Sequence, residues 1–140
     1  MLRDRGAANG KPEVKPTDSA LHIYTAGCDG MDFDRDGNLY TGSFGDGRFW
    51  VLNLLGNGRY SKPKLLSTDV TCCDGICYDP VRNRMLLTAS EQNGIYAWDI
   101  AQKKMSVLWS NGDTDGADGL LDQPCEVMML DENRVLVVNI

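Results

Sequence analysis

Residues 71–79, TCCDGICYD, place an acid and a glycine directly behind two adjacent cysteines, and a related phrase occurs twice more. The upstream copy is GCDGMDFD at residues 27–34, and the downstream copy is PCEVMMLD at residues 124–131. Aligned on the cysteine, each copy reads Cys, acid, Gly or Val, Met or Ile, any residue, an apolar residue and Asp. Successive cysteines of the phrase are 45 and 52 residues apart. We therefore interpret the chain as a repeat protein.

Short β-rich runs separated by turn residues follow each copy of the phrase. The first unit contains GMDFD, LYTGS, RFWVLNL and KLLST, and the second contains GICYD, RMLLTAS, IYAWDI and MSVLW. The turns between them are of the Asp-Gly and Asn-Gly type that favours β-hairpins. The third unit contains only EVMML and RVLVVNI. Four antiparallel strands at a period of about 45 residues indicate an all-β chain of about three β-propeller blades, with an ordinary β-sandwich as the alternative.

The repeats begin after a polar segment. Residues 1–19 contain Gly and Pro and show no periodicity, which predicts a tail or linker. Residues 20–140 carry the blades, with units near 27–71, 72–123 and an incomplete 124–140. About two and a half blades would leave sheet faces and edges open. We therefore expect either a fragment that lacks half of its propeller or a half-propeller that a second copy completes as a homodimer.

Composition argues against some classes of binding partner and indicates a cellular compartment. The 140-residue chain has a net charge of −6 and five cysteines. Nucleic acids and anionic membranes are bound by clustered Lys and Arg, so the acidic balance argues against both. No run approaches the ~20 apolar residues of a membrane span, and the N-terminal residues lack the apolar segment of a secretory signal. We expect a cytoplasmic protein with reduced cysteines.

Two runs carry a resemblance to a known family. Residues 28–53, CDGMDFDRDGNLYTGSFGDGRFWVLN, resemble a blade of the six-bladed propellers of the senescence-marker protein, gluconolactonase and luciferin-regenerating-enzyme family. The family pattern is Pro-Asp-Gly-apolar-x-x-Asp, a Gly-Asn turn and an apolar-aromatic strand. Residues 115–139, DGADGLLDQPCEVMMLDENRVLVVN, resemble the related NHL-type blade. The chain departs from the family in having Cys in place of Pro, Val127 in place of a glycine, and about half of the blades.

The acids of the repeated phrase are the candidate site. Because the first strand of each blade lines the channel of a propeller, Asp29, Asp74 and Glu126 are predicted to be equivalent and to converge. Convergent carboxylates repel one another and need a cation, a proton or a basic ligand. Their oxygen atoms favour a divalent ion of the Ca²⁺ or Mg²⁺ class. The alternative is turn chemistry, in which each carboxylate accepts bonds from nearby backbone N–H groups.

The resemblance implies a function for these acids. In the family, acidic residues at such positions hold a divalent metal and an Asp of the Asp-Gly motif serves as general base, a role that carries over to Asp29 and Asp74. The implied activity is metal-dependent hydrolysis of a small lactone or ester. The single histidine, His22, has no Gly-x-Ser-x-Gly motif nearby and is predicted to be structural. The alternatives are a non-catalytic propeller module that binds a ligand or a protein, and an inactive propeller fragment.

The cysteines of the phrase receive two interpretations. Cys28, Cys73 and Cys125 are interpreted as small residues that pack between blades, because a free cysteine behaves as a small apolar residue. The alternative is a thiolate site, which would favour Zn²⁺ or Cu⁺.

Two further sets of residues are assigned structural roles. The aspartates that end the phrase precede turns and are predicted to cap them; they are Asp34, Asp79 and Asp131. The aromatic residues of the predicted strands are expected in the core; they are Tyr40, Trp50, Tyr96, Trp98 and Trp109.

Overall fold

The computed structural model describes residues 28–111 and 119–140, and within these ranges the chain is built from β-strands and one 3₁₀ turn, Ser90–Gln92. The strands are β1 (Cys28–Phe33), β2 (Leu39–Ser43), β3 (Phe49–Leu52), β4 (Leu54–Gly56), β5 (Arg59–Tyr60), β6 (Lys64–Ser67), β7 (Cys73–Asp79), β8 (Arg84–Ala89), β9 (Gly94–Asp99), β10 (Lys104–Ser110), β11 (Pro124–Met129) and β12 (Val135–Asn139). The prediction of an all-β fold is confirmed. Among the described residues, no helix has the length and apolar character needed to span a membrane. The predicted tail at residues 1–19 and His22 lie outside the described residues.

The strands form antiparallel sheets, and in three of these sheets the first strand carries a copy of the repeated phrase. The first sheet has the order β1-β2-β3-β6, the second has the order β7-β8-β9-β10, and the third contains β11 and β12. This agrees with the four, four and two strands predicted for the three units. A separate hairpin, β4–β5, lies between β3 and β6 in the chain and was not predicted. Its turn contains Gly56, Asn57 and Gly58, which all have positive φ.

The three sheets stack through their first strands, because β7 contacts both β1 and β11. Glycines make this approach possible. A Cβ atom on Gly30 would lie 2.1 Å from the backbone oxygen of Asp74, and a Cβ atom on Gly75 would lie 2.6 Å from the Cα of Glu126. Any side chain at these positions would push adjacent sheets apart. The described residues thus form an open stack of sheets, and a closed propeller stays a prediction.

The largest apolar core lies between the first and second sheets. Phe49 of β3 is fully buried there, with its ring centroid 5.9 Å from that of Tyr40 and 6.0 Å from that of Trp98. The second sheet contributes Met85 and Leu87, both fully buried. A smaller core joins the second sheet to the third; its buried members are Leu86, Ala97 and Val127.

Five aromatic residues were predicted to lie in the core. This prediction is confirmed for three of them and wrong for one. Tyr40, Trp50 and Trp98 are buried, and Tyr96 is partly buried. Trp109 is 40% exposed. The reason is that the third sheet has two strands in the described residues and does not extend over β10, on which Trp109 lies.

The aspartates that end the phrase cap the first hairpin of each sheet, as predicted. Each accepts two backbone N–H bonds through Oδ1, at 2.9 Å for Asp34 and Asp131 and at 3.1 Å for Asp79. Asp79 is fully buried and forms ion pairs with Arg84 at 3.0 Å and with Arg82 at 3.4 Å. These contacts join the turn to the end of β7 and the beginning of β8.

Candidate functional site

The acids of the repeated phrase lie near the beginning of the first strands. Asp29 is on β1, Asp74 on β7 and Glu126 on β11, and we call these three residues the acidic cluster. Asp74 is half-buried, whereas Asp29 and Glu126 are exposed. Because the three first strands lie side by side, the glycines next to the two aspartates bring the acidic cluster to one edge of the stack.

The environment of Asp74 disfavours its ionised form. Burial is the largest cause that raises the pKa of this carboxyl, followed by the negative charge of Asp29, the charge of Glu126 and a side-chain hydrogen bond with Asp29. The structure therefore brings the three predicted acids together. Asp29 raises the pKa of Asp74 through its charge and a side-chain hydrogen bond, and Glu126 raises it through its charge.

The β-ladders show which residues are equivalent in the three sheets. Each ladder begins with one pair, and these pairs are Cys28–Ser43, Cys73–Ala89 and Pro124–Asn139. A bulge follows in each sheet, and the next equivalent pairs are Met31–Thr41, Ile76–Leu87 and Val127–Val137. In every sheet this second pair lies three residues further along the first strand and two residues back along the second strand.

The predicted equivalence of Glu126 with the two aspartates is therefore wrong. Cys125 occupies the position of Asp29 and Asp74, and Glu126 occupies the position of Gly30 and Gly75. The third phrase has one more residue between the apolar position of the second pair and its turn aspartate than the other two phrases have. Aligning the phrases on cysteine and aspartate shifted the third unit by one residue. For the same reason, Val127 corresponds to the buried Ile76 and does not replace a glycine.

The shift of one residue in the third phrase also gives Cys73 and Cys125 different environments. Cys73 is fully buried in the core, and a Cβ atom on Gly42 would lie 2.4 Å from its Sγ, so the packing interpretation is confirmed for Cys73. Cys125 lies one position further along its strand than Cys73 does, because Pro124 is the equivalent of Cys73. The Cys125 Sγ donates to the backbone oxygen of Val138 at 3.4 Å. Burial raises the pKa of Cys73 to about 12. This thiol is therefore protonated at neutral pH.

Sequence reasoning missed a polar cavity of about 470 Å³ at the same end of the second sheet. Its lining residues are Phe44, Cys72, Ser90, Glu91, Asn93, Asp122, Gln123 and Ile140. Burial, together with the hydrogen bond and charge of Glu91, raises the pKa of Cys72 to about 11. The segment after β8 was predicted only as a turn. It reaches the beginning of β7 because Cys73 pairs with Ala89.

Two hydrogen bonds fix the shape of this cavity. The Gln123 backbone N–H donates to Asn93 Oδ1 at 2.8 Å, and Ser90 Oγ donates to the Pro124 backbone oxygen at 2.8 Å. Both bonds join the segment after β8 to the beginning of β11. Cys72 directly precedes β7, and Gln123 directly precedes β11. Both residues have left-handed backbone conformations, with φ of 50° and 45°. The cavity is therefore built into the stacking of the second and third sheets.

The donor atoms of the acidic cluster fit a hard cation in part. Within residues 28–111 and 119–140, no group of three or more His, Cys, Asp or Glu side chains is placed to hold one metal ion. The Asp29–Asp74 pair offers two carboxylates, which suits an ion of the Mg²⁺ class that keeps several waters. Glu126 Oε1 accepts a bond from the Val127 backbone N–H at 3.0 Å. Asp29 and Asp74 are thus the residues that would hold a cation.

The comparisons with known proteins add no family to this description. No protein-family model matches the chain, and no match was found among curated proteins. The resemblance to gluconolactonase-type propellers therefore stays a hypothesis based on the residues of the repeated phrase.

Proposed function

We propose that this chain is part of a β-propeller hydrolase that acts on a small lactone or ester with a divalent cation. The acidic cluster would belong to its active site. The stacked sheets would be its blades, and β1, β7 and β11 would be the strands that line its channel. The observation that carries the proposal is the meeting of Asp29 and Asp74 at the beginning of two adjacent first strands. Burial and neighbouring charge raise the pKa of Asp74 at this point.

Asp74 is the residue proposed as general base. A carboxylate with a raised pKa accepts a proton more readily than an ordinary one, and general-base catalysis is most effective when the pKa lies nearer the working pH. Asp29 shares a hydrogen bond with Asp74 and would orient it. A bound divalent cation would supply polarisation of the substrate carbonyl and acidification of water.

The polar cavity beside Cys72 is the proposed place for the substrate. Its volume of about 470 Å³ falls within the ~300–1,000 Å³ that small-molecule sites occupy. The carboxylates of Glu91 and Asp122 in its lining would repel an anionic substrate. We therefore propose a neutral lactone or ester as the substrate class.

The rest of the ring would come from a second copy or from a missing half of the propeller. Met31 and Phe33 on the first sheet are 57% and 50% exposed, and Leu136 and Val138 on the third sheet are each 45% exposed. In a propeller such apolar faces are covered by the next blade. Two copies of the three-sheet stack would supply about six blades, which makes a homodimer one way to close the ring.

A non-catalytic module that binds a ligand or a protein is the second candidate. The observation that favours it is the lack, among the residues that the structure describes, of a group of three metal-binding side chains. In this case Asp29 and Asp74 would share a proton, and the cavity would bind a ligand without turnover.

Hydrolysis of neutral lactones and aryl esters in the presence of Mg²⁺ or Ca²⁺ tests the proposal. Asp74→Asn is expected to reduce cation-dependent turnover by about 10²–10⁴-fold, which is the usual effect of losing a general base. Asp36→Asn is the matched control, because it removes an exposed carboxylate from the first hairpin. It is expected to leave turnover unchanged.

Loss of activity in Asp74→Asn is not expected to reflect unfolding. Because the folded-state pKa of Asp74 is raised, its ionisation disfavours the folded state, and its contribution to stability is lost as the pH rises through that pKa. The variant should therefore be at least as stable as the wild type at pH 7, as measured by urea unfolding. Turnover that survives Asp74→Asn would contradict the assigned role, and a lack of cation-dependent turnover in the wild type would favour the binding module.

A further inference from the structure

The β4–β5 hairpin carries an Asn-Gly pair at its tip, and a second such pair lies in the second sheet. The sequence has four Asn-Gly pairs, which begin at residues 9, 57, 93 and 111. In two of them both members are described: Asn57–Gly58 lies between β4 and β5, and Asn93–Gly94 lies at the beginning of β9. These two pairs have the same covalent chemistry, so a difference in their reactivity comes from the structure around them.

An asparagine that precedes a glycine loses its side-chain amide by reaction with the backbone. The backbone nitrogen of the glycine attacks the asparagine Cγ and the bond from Cγ to Nδ2 breaks. The leaving nitrogen takes up the proton of the attacking N–H and departs as ammonia, and a cyclic succinimide remains. Water opens this ring at one of its two carbonyl carbons and gives aspartate or isoaspartate. Glycine favours the attack because it has no side chain and has a wide choice of backbone conformations.

The Asn57–Gly58 pair is free to react. Both residues are exposed, and a Cβ atom on Gly58 would have no heavy atom within 4 Å. Within residues 28–111 and 119–140, neither the Asn57 side chain nor the Gly58 backbone N–H makes a hydrogen bond. The electrophilic carbon and the attacking nitrogen are therefore held by no bond that the reaction has to break.

The hairpin that carries this pair is short. β4 has three residues, β5 has two, and their ladder pairs are Leu54–Tyr60 and Gly56–Arg59. Asn57 and Gly58 have φ of 52° and 70°, the positive values of a type I′ turn. An isolated two-stranded ribbon is marginally stable, and such a segment opens at little cost in free energy. Opening lets the Gly58 nitrogen reach the Asn57 Cγ while the rest of the chain stays folded.

The Asn93–Gly94 pair is held on both sides. Asn93 Oδ1 accepts the Gln123 backbone N–H at 2.8 Å. Gly94 is buried and lies in β9 between β8 and β10, where it pairs with Ala89 and Ser110. Reaction at Asn93 needs these contacts to open, and a central strand opens at a higher cost in free energy than an exposed hairpin does.

We propose that Asn57 is a site of spontaneous deamidation, at which the folded chain is converted to aspartate and isoaspartate forms. Each event adds one negative charge to a chain whose net charge is −6. The overall step consumes one water and releases one ammonia, and it needs no oxidant, reductant or cofactor. The inference does not depend on the proposed hydrolase activity, because it uses none of the residues of the acidic cluster.

The isoaspartate form is expected to loosen the hairpin. Its backbone runs through the former side chain and gains one carbon atom, so the two-residue turn no longer fits the ladder between β4 and β5. The hairpin is joined to the first sheet by two bonds. The Tyr60 hydroxyl donates to the Gly37 backbone oxygen at 3.2 Å, and the Leu54 backbone N–H donates to Asn38 Oδ1 at 3.1 Å. Both bonds depend on the hairpin keeping its register.

Mass spectrometry of the full chain, incubated at neutral pH, measures deamidation at each site. Trypsin in mildly acidic buffer gives residues 49–59, which contain Asn57, and residues 85–103, which contain Asn93. Synthetic peptides with these two sequences give the rates without the fold. Asn57 in the folded chain is expected to react within about tenfold of its peptide, and Asn93 at least about a hundredfold more slowly than its own peptide, because local opening is easy only in the hairpin.

Two controls need no variant. Asn53 lies in the same tryptic fragment as Asn57 and is also exposed, but Leu54 follows it, so it is expected to stay intact. In urea above the unfolding transition, Asn93 should reach the rate of its peptide, whereas the rate at Asn57 should change little. The two results together assign the difference between the pairs to the fold.

Asn57→Asp is the matched variant for the effect on the hairpin, because it adds the charge without lengthening the backbone. Aspartate tolerates the left-handed conformation of the turn. Backbone amides of residues 54–60 should exchange with solvent at the wild-type rate in Asn57→Asp and faster in the isoaspartate form. Equal exchange in these two forms would contradict the loosening of the hairpin.

The proposal is overturned if Asn57 in the folded chain reacts no faster than Asn93. It is also overturned if the fragment of residues 49–59 gains aspartate without isoaspartate, which electron-transfer fragmentation distinguishes. That outcome would indicate direct hydrolysis of the side-chain amide, with no attack by the Gly58 nitrogen.

Discussion

Phe49→Ala is expected to lower the free energy of unfolding by about 3–5 kcal/mol. The side chain is fully buried between Tyr40 of the first sheet and Trp98 of the second. Its removal leaves a cavity at the centre of the contact between two sheets, which the surrounding strands cannot close without changing the stack. Urea unfolding followed by tryptophan fluorescence measures the loss.

Phe44→Ala is the matched control for this prediction. Phe44 follows β2, is 40% exposed and lines the polar cavity. The same change of side chain should cost less than about 1 kcal/mol there, because substitutions at exposed positions have small effects. Equal losses at the two positions would contradict the placement of the core between the first and second sheets.

Asp79→Ala is expected to destabilise the protein by about 3 kcal/mol, the scale on which a buried ion pair is broken by removing one partner. Asp79 is fully buried, accepts two backbone N–H bonds and contacts the side chains of Arg82 and Arg84. Without it, the backbone N–H groups of the turn lose their acceptors. Thermal and urea unfolding at pH 7 measure the change.

The effect of Asp79→Ala should depend on pH in one direction. Burial by itself would raise the pKa of Asp79, but hydrogen bonds from the Arg82 backbone N–H and the Arg84 side chain outweigh it and lower the pKa. Its stabilisation is therefore present above the ordinary Asp pKa of about 3.9 and is lost as the pH falls through the lower folded-state value. The difference between wild type and variant should shrink below about pH 4.

Asp131→Ala is the matched control for Asp79→Ala. Asp131 caps the third hairpin with the same two backbone bonds and pairs with Arg134 at 2.6 Å, but its side chain is 42% exposed. Water can replace its bonds, so the loss should be much smaller than at Asp79. Similar losses at both positions would show that capping, and not burial, accounts for the effect.

The sequence predicted the strands of the three sheets because their signals are local. Short apolar runs bounded by turn residues mark β1, β7 and β11 and their hairpins. The capping of each turn by Asp34, Asp79 and Asp131 needs contacts only a few residues away. The β4–β5 hairpin was missed because no strand was predicted between the runs RFWVLNL and KLLST, where the GNG turn of this hairpin lies.

The candidate site could be predicted only in part, since it depends on ladder register. Asp29 and Asp74 follow the same phrase and do meet, but Glu126 lies one residue away from their position because the third phrase is longer by one residue. The polar cavity has no sequence signal, because it forms from segments that come together only when neighbouring sheets stack.

The most direct test of the Asp29–Asp74 site is a carbon-13 NMR titration of the Asp74 carboxyl, without and with Mg²⁺. The midpoint is predicted to lie above the ordinary Asp value of about 3.9 without cation, to fall in Asp29→Asn, and to fall in the wild type when Mg²⁺ is added. The exposed Asp36 carboxyl serves as an internal control in the same spectra. A midpoint for Asp74 at or below the ordinary value, unchanged by Asp29→Asn and by Mg²⁺, would contradict the paired-carboxylate site and the hydrolase proposed from it.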